Sequence, residues 1–166
     1  MTCFIQTKTL LGLALQPNTG MRLLSILFTG FFLVSATGWE TDFENAQKKA
    51  EKEHKLILLN FSGSDWCGPC IRLRKEIFES VLFKNLADNN LVLVNADFPR
   101  LKKNQLSKDQ QKKNDKLADK YNPQGIFPYT VLLSSDAIII KTWDGFPNET
   151  AEEFTRQLND LVNARK

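Results

Sequence analysis

The chain has 166 residues, 42% hydrophobic and 25% charged, which suits one globular domain with one core. Its formal net charge of +3 is too small to mark a nucleic-acid binder, and none is expected as a partner. Three cysteines, Cys3, Cys67 and Cys70, are too few for a disulfide-stapled scaffold.

Residues 23–36, LLSILFTGFFLVSA, carry no charge, follow Arg22 and end in small residues. A basic start, an apolar middle and a small-residue end describe a signal peptide over residues 1–36. The stretch is short for a bilayer span, which takes about 20 residues. If uncleaved, it would hold the protein at a membrane. Met21 directly precedes Arg22 and is a candidate true start, because residues 1–20 make a long leader. The expected product is exported. Its new N-terminus would fall between Ala36 and Glu40. Cleavage removes Cys3, Lys8 and Arg22, so the charge falls from +3 to +1 and two cysteines remain.

The expected domain covers 39–166. Thr41-Asp42-Phe43-Glu44 reads as a capping box, with Phe43, Ala46 and Ala50 on one helical face, so 41–54 is expected to be a helix. His54 would be a solvated residue at its end. LILLNF (56–61) suits a buried strand. After the cysteine pair, residues 71–89 continue as helix, with Ile71, Phe78, Leu82 and Leu86 as inward positions. LVLVNAD (91–97) is a second buried strand. Residues 100–120 are polar and lysine-rich, a loop and then a helix. YTVLL (129–133) and IIIKTW (138–143) flank a turn at Ser134–Ala137 and form a hairpin. Thr150–Glu153 is a capping box for a last amphipathic helix, with Ala151, Phe154, Leu158 and Leu161 inward. The order αβαβαββα predicts an α/β domain: a central mixed sheet flanked by helices.

The chemistry centres on Ser64-Asp65-Trp66-Cys67-Gly68-Pro69-Cys70. A structural zinc site needs four ligands. The mature chain offers two cysteines and His54, so no metal is expected. A purely structural disulfide closes too small a loop to remove much unfolded-state entropy. A redox pair fits the position, where a strand gives way to a helix. Unpaired N–H groups and the helix dipole there favour a thiolate. Pro69 is tolerated in a first turn, where its missing N–H costs nothing. Cys67 is expected to be the more exposed attacker, and Cys70, one turn deeper, would resolve a mixed disulfide.

Trp66-Cys67-Gly68-Pro69-Cys70 resembles the active-site pentapeptide of thioredoxin. The resemblance covers roughly 41–166. Gly125-Ile126-Phe127-Pro128-Tyr129-Thr130 is similar to the family's glycine–cis-proline–threonine segment. Gly63-Ser64-Asp65 and Asp97-Phe98-Pro99-Arg100 resemble exported thioredoxin-like proteins of Gram-negative bacteria, which implies the bacterial periplasm as the compartment. The resemblance implies a thioredoxin-like fold and a thiol–disulfide oxidoreductase that works without a cofactor. It further implies that Pro128 is cis and packs against the sulfurs, that Phe127 offers its backbone to an extended substrate, and that Trp66 walls the binding surface together with Gly68 and Pro69. Protein disulfides would be the substrates, a membrane-borne donor the electron source, and a monomer the working form. The Gly68-Pro69 dipeptide matches reducing members. A second reading keeps the groove and drops the chemistry: a thioredoxin-fold chaperone or adaptor with incidental redox activity.

Four features depart from the family pattern, one of them an extra residue between Gly125 and Pro128. Asn60 stands where a buried aspartate usually accepts the proton of the deeper cysteine, with one extra residue before the pair. Leu93 takes the place of a buried lysine on the next strand. Deprotonation of Cys70 would then fall to water, to Asp65 or to another group, and Arg74 would steady a thiolate if it pointed inward. Residues 100–120 hold eight basic side chains against Asp109, Asp115 and Asp119, either a solvated face or a surface that steers an acidic partner. Asn148-Glu149-Thr150 matches a glycosylation sequon, which matters only in a eukaryotic secretory pathway.

Overall fold

The computed structural model describes residues 38–165. The signal peptide expected over 1–36, its apolar segment and the candidate start at Met21 lie outside the described residues. No helix among the described residues is long and apolar enough to cross a membrane.

Helix α1 runs Phe43–Glu53. Its cap is Asp42 rather than Thr41: the Asp42 carboxylate accepts the Asn45 N–H at 3.0 Å. Both residue types cap well, and the aspartate adds a negative charge at the positive end of the helix dipole. Ala46 and Ala50 are buried and Phe43 packs beside them, as their spacing requires. His54 closes the helix in a left-handed conformation, exposed to solvent.

Strand β1 (Leu56–Ser62) pairs in parallel with β2 (Leu91–Asp97), and antiparallel with β3 (Tyr129–Leu133). Strand β4 (Ile139–Asp144) pairs antiparallel with β3, which gives the order β2-β1-β3-β4. This is the mixed sheet that the element order predicts.

The helical stretch after the cysteines is broken, where one continuous helix was expected. Helix α2 (Gly68–Leu73) passes into a π turn at Arg74–Phe78, and α3 (Val81–Asn90) restarts under a Ser80 cap. A π turn puts one extra residue into the spiral, and a break resets the phase. Ile71 and Leu82, expected inward, are therefore 36% and 49% exposed. The buried positions are Leu73, Ile77, Phe78, Phe83 and Ala87, with Leu86 half-buried against them. A 3-10 turn (Lys102–Asn104) leads into α4 (Lys108–Tyr121), and α5 (Ala151–Asn163) closes the fold. Thr150 and Glu153 form the expected reciprocal capping box.

Helices cover both faces of the sheet. One face packs Ile57, Leu59, Phe61 and Val94 against α1 and α4. The other packs Leu58, Leu93 and Leu132 against α2, α3 and α5, where Phe83 and Phe154 are fully buried. Each such side chain removed from water contributes about 1.5–3 kcal/mol. Side chains alternate across a strand, so Asn60, Asn95 and Thr130 lie on this same face, one step further along. There the apolar face turns polar, beneath the cysteine pair.

Candidate active site

Cys67 and Cys70 are joined as a disulfide, with Cα atoms 5.2 Å apart. Cys67 is the N-cap of α2: its Sγ accepts the backbone N–H of Cys70 at 3.2 Å, and its own carbonyl accepts from Ile71 N at 3.1 Å. The strand-to-helix junction inferred from sequence therefore aims a backbone donor at the first sulfur. Gly68 and Pro69 are exposed on the rim. The expected difference in cysteine exposure is absent. Cys67 is 4% exposed and Cys70 5%, so both members of the bonded pair are buried alike.

Trp66 is half-buried beside the pair. Its Nε1 donates to the Phe98 carbonyl at 2.7 Å, and its ring meets Phe127 edge-on at 5.5 Å. The Phe127–Pro128 peptide is cis, and Pro128 is buried at the start of β3, where its carbonyl accepts from Gly145 N. Trp66 and Phe127, in contact with each other, thus line one shallow groove together with Phe98, Pro99, Arg100, Gln111 and Gly125.

A cavity of about 280 Å³ lies on the Cys70 side, lined by Cys70, Asn60, Ser62, Asn95, Trp39 and Phe78, with Arg74 and Glu79 among its remaining walls. Asn60 is 7% exposed and its side chain is held at both ends. Its Oδ1 accepts from Thr130 Oγ1 at 3.2 Å, and its Nδ2 donates to Asn95 Oδ1 at 3.2 Å. Ser62 Oγ lies 3.0 Å from that same Asn95 oxygen and 3.2 Å from Asp97 Oδ1. A polar ladder therefore crosses three strands, as buried polar groups require. Leu93, opposite Leu58, sits one rung deeper in the apolar layer.

Asp65 does not line this cavity. Its carboxylate accepts from Arg100 N at 2.9 Å, Leu101 N at 3.0 Å and Asn104 Nδ2 at 2.9 Å. The Arg100 N–H first, with the other two donors, holds its carboxyl below the ordinary range. It anchors the loop after β2, a role incompatible with serving as base for Cys70. Arg74 lines the cavity but pairs with Glu79 at 3.1 Å, and its side chain is 69% exposed. Sequence reasoning missed Asn95, Phe98 and Arg100 as site residues. The cues for Phe98 and Arg100 were the Asp97–Arg100 stretch of the resemblance and, for Arg100, the basic run that it begins.

Residues 38–133 match a family model described as thioredoxin-like. Over 98 residues the chain is 37% identical to "Disulfide bond reductase DsbH" of Chlamydia pneumoniae, covering 59% of this chain and 57% of that protein. It is also 30% identical over 126 residues to "Thioredoxin-related protein DsbJ" of the same organism, covering 76% of this chain and 35% of that one. The chain thus spans little more than half of one curated relative and about a third of the other. A solved structure titled "DsbH Oxidoreductase" superposes with a TM-score of 0.69 at 28% identity, over 78% of this chain and 87% of that one.

Proposed function

Because the chain belongs to the thioredoxin-like family, we propose that it is an exported thiol–disulfide oxidoreductase that reduces disulfides in protein substrates. The observation that carries this reading is the Cys67–Cys70 disulfide at a helix N-cap, with the Cys70 N–H donating to the Cys67 sulfur at 3.2 Å. In the reduced protein that donor and the helix dipole favour a thiolate at Cys67 over one at Cys70. The N-cap position, not exposure, makes Cys67 the attacker.

The Cys67 thiolate attacks one sulfur of the substrate disulfide and expels the other as a thiolate, which leaves a mixed disulfide. Cys70 gives up its proton and attacks Cys67 Sγ. The second substrate sulfur leaves, and the Cys67–Cys70 bond remains. Two electrons pass from the protein to the substrate. The cavity beside Cys70 is roomy enough for several waters at about 30 Å³ each, and its amide and hydroxyl lining supplies their partners. Water there takes the Cys70 proton, since Asn60 cannot. An extended substrate segment lies along Phe127, against Trp66, Gly68, Pro69 and the cis Pro128.

The Gly68-Pro69 dipeptide and the name of the 37% identical relative support the reducing direction. In an oxidising compartment a reductase must be recharged, so a membrane-borne electron donor belongs to this reading, which takes a monomer as the working form. An insulin-reduction assay of the wild type against Cys67→Ser tests it. The wild type precipitates insulin catalytically and the variant does not. Equal rates would leave a peptide-binding module.

A further inference from the structure

We propose that the groove beside Trp66 selects substrate segments that carry a carboxylate next to their disulfide, with Arg100 as the side chain that sets this preference. The inference rests on the reductase reading and names the substrate class of the same site.

Arg100 stacks on the active-site tryptophan. Its guanidinium carbon lies 3.6 Å from the centre of the Trp66 ring. The ring is itself fixed by the bond to the Phe98 carbonyl and by Phe127. Phe98 in turn meets Phe127 edge-on at 5.5 Å. A stacked guanidinium covers the aromatic face and keeps its in-plane N–H edges available.

Those edges have no acidic partner at hand. Asp65 is the nearest carboxylate in sequence to the cysteines, and it is spent on the backbone N–H groups of Arg100 and Leu101 and on Asn104. None of the ion pairs among the described residues involves Arg100. Asp65 therefore does two things. It pulls the loop back over the motif, and it leaves the guanidinium uncompensated. The loop that follows carries further positive charge. Lys102 and Lys103 continue the loop, and Lys108 and Lys112 line the adjoining depression. The single carboxylate there, Asp115, accepts from Gln111 Nε2 at 2.8 Å.

A segment laid along Phe127 passes Arg100, which lines the same groove. A glutamate or aspartate within reach takes a two-pronged, charge-assisted pair of hydrogen bonds from the fork. A lysine meets a like charge and is rejected. Long-range attraction by the basic loop adds to the association rate.

The test uses three peptides with one disulfide each, identical except for Glu, Gln or Lys beside the cysteines. Reduction by the full chain is measured at low and high salt. Equilibrium binding of cysteine-free versions is measured on the Cys67→Ser/Cys70→Ser variant. The Glu peptide is expected to lead the Gln peptide by about three- to fivefold, the size of an exposed ion pair, with the Lys peptide last. High salt narrows the gap. Arg100→Gln collapses the ranking, and Arg100→Lys, which keeps the charge without the planar fork, restores part of it. Equal affinities in the double-serine variant with Arg100 intact, or a ranking that survives Arg100→Gln, overturn the inference. Ranked binding with no peptide reduced overturns the reductase reading alone. Uniform reduction with uniform binding overturns the preference alone.

Discussion

The Asn60 side chain on β1 donates to the Asn95 oxygen on β2 at 3.2 Å, while Thr130 on β3 donates to the Asn60 oxygen at the same distance. Three strands are thereby tied together beneath the cysteines by neutral groups. The polar rung satisfies itself without an ionisable side chain.

Putting an acid there makes the first prediction. In Asn60→Asp the new group is buried and faces the Asn95 oxygen, and both effects favour its neutral form. Its folded pKa rises above the unfolded value of about 3.9. Between those two values the folded chain keeps a proton that the unfolded chain releases, so stability falls as pH rises. The loss is about 1.4 kcal/mol per unit of separation and is complete once pH passes the folded value. Denaturation of variant and wild type from pH 4 to 8 reads the widening gap. A stopped-flow trace of tryptophan fluorescence from pH 6 to 9 reads the chemistry. Resolution of the mixed disulfide should speed up near pH 7, where the acid exchanges a proton with Cys70. Flat differences in both would remove residue 60 from the neighbourhood of the sulfurs.

The second prediction separates the two cysteines, which exposure does not. In Cys70→Ser the backbone N–H at position 70 still points at Cys67 Sγ, so attack survives and resolution does not. That variant should accumulate covalent partner complexes on non-reducing gels, released by dithiothreitol. Capture by Cys67→Ser in its place would reverse the roles.

How much of this was legible beforehand depended on the range of the interaction. Strands β2 and β3 fall on the expected residues, because continuous apolar runs bounded by polar residues need only local pattern. The Thr150–Glu153 box was visible because both halves lie within four residues. The π turn was not, since a helix that gains one residue at Arg74–Phe78 shows the same apolar spacing up to the point where it slips. Asn95 as partner of Asn60 depends on strand register across 35 residues, and Arg100 over Trp66 on a loop that only tertiary structure folds back. Asp65 read as a spare base because sequence places it near the cysteines. Its hydrogen bonds make it the anchor of that loop.

The third prediction concerns α1. The Lys113 ammonium first, and the Asn45 N–H next, hold the Asp42 carboxyl below its ordinary range. A depressed carboxylate contributes stability above its unfolded pKa and loses it as pH falls through the folded value. Asp42→Ala should therefore cost about 1 kcal/mol at pH 7, the usual worth of a helix cap. The gap to wild type should shrink below about pH 4, where the unfolded group begins to take up its proton. Lys113→Ala, which keeps the cap and removes an exposed partner, should cost less. Thermal melts at pH 3, 5 and 7 check all three, and a gap independent of pH would assign the loss to packing.

The last prediction turns on Gly63, whose neighbour in space is the Trp66 ring. A Cβ at position 63 would stand 2.3 Å from Trp66 Cε2 and 2.5 Å from Nε1, closer than real contacts allow. The backbone has little freedom to retreat, because the Gly63 carbonyl accepts from Cys67 N at 2.9 Å and Trp66 N at 3.3 Å. The indole must swing in Gly63→Ala. It then loses its bond to the Phe98 carbonyl, its edge contact with Phe127 and its stack with Arg100. Overpacking of this kind costs about 1–3 kcal/mol. Misplacing a wall of the substrate groove by about 1 Å costs up to a hundredfold in rate. The variant should fold with a shifted tryptophan emission and reduce insulin far more slowly than wild type. Trp66→Ala, which removes the obstacle, should make the further change Gly63→Ala nearly neutral for stability. If Gly63→Ala alone leaves emission and rate unchanged, the indole has room to move without leaving its place in the groove, and the wall is softer than its contacts imply.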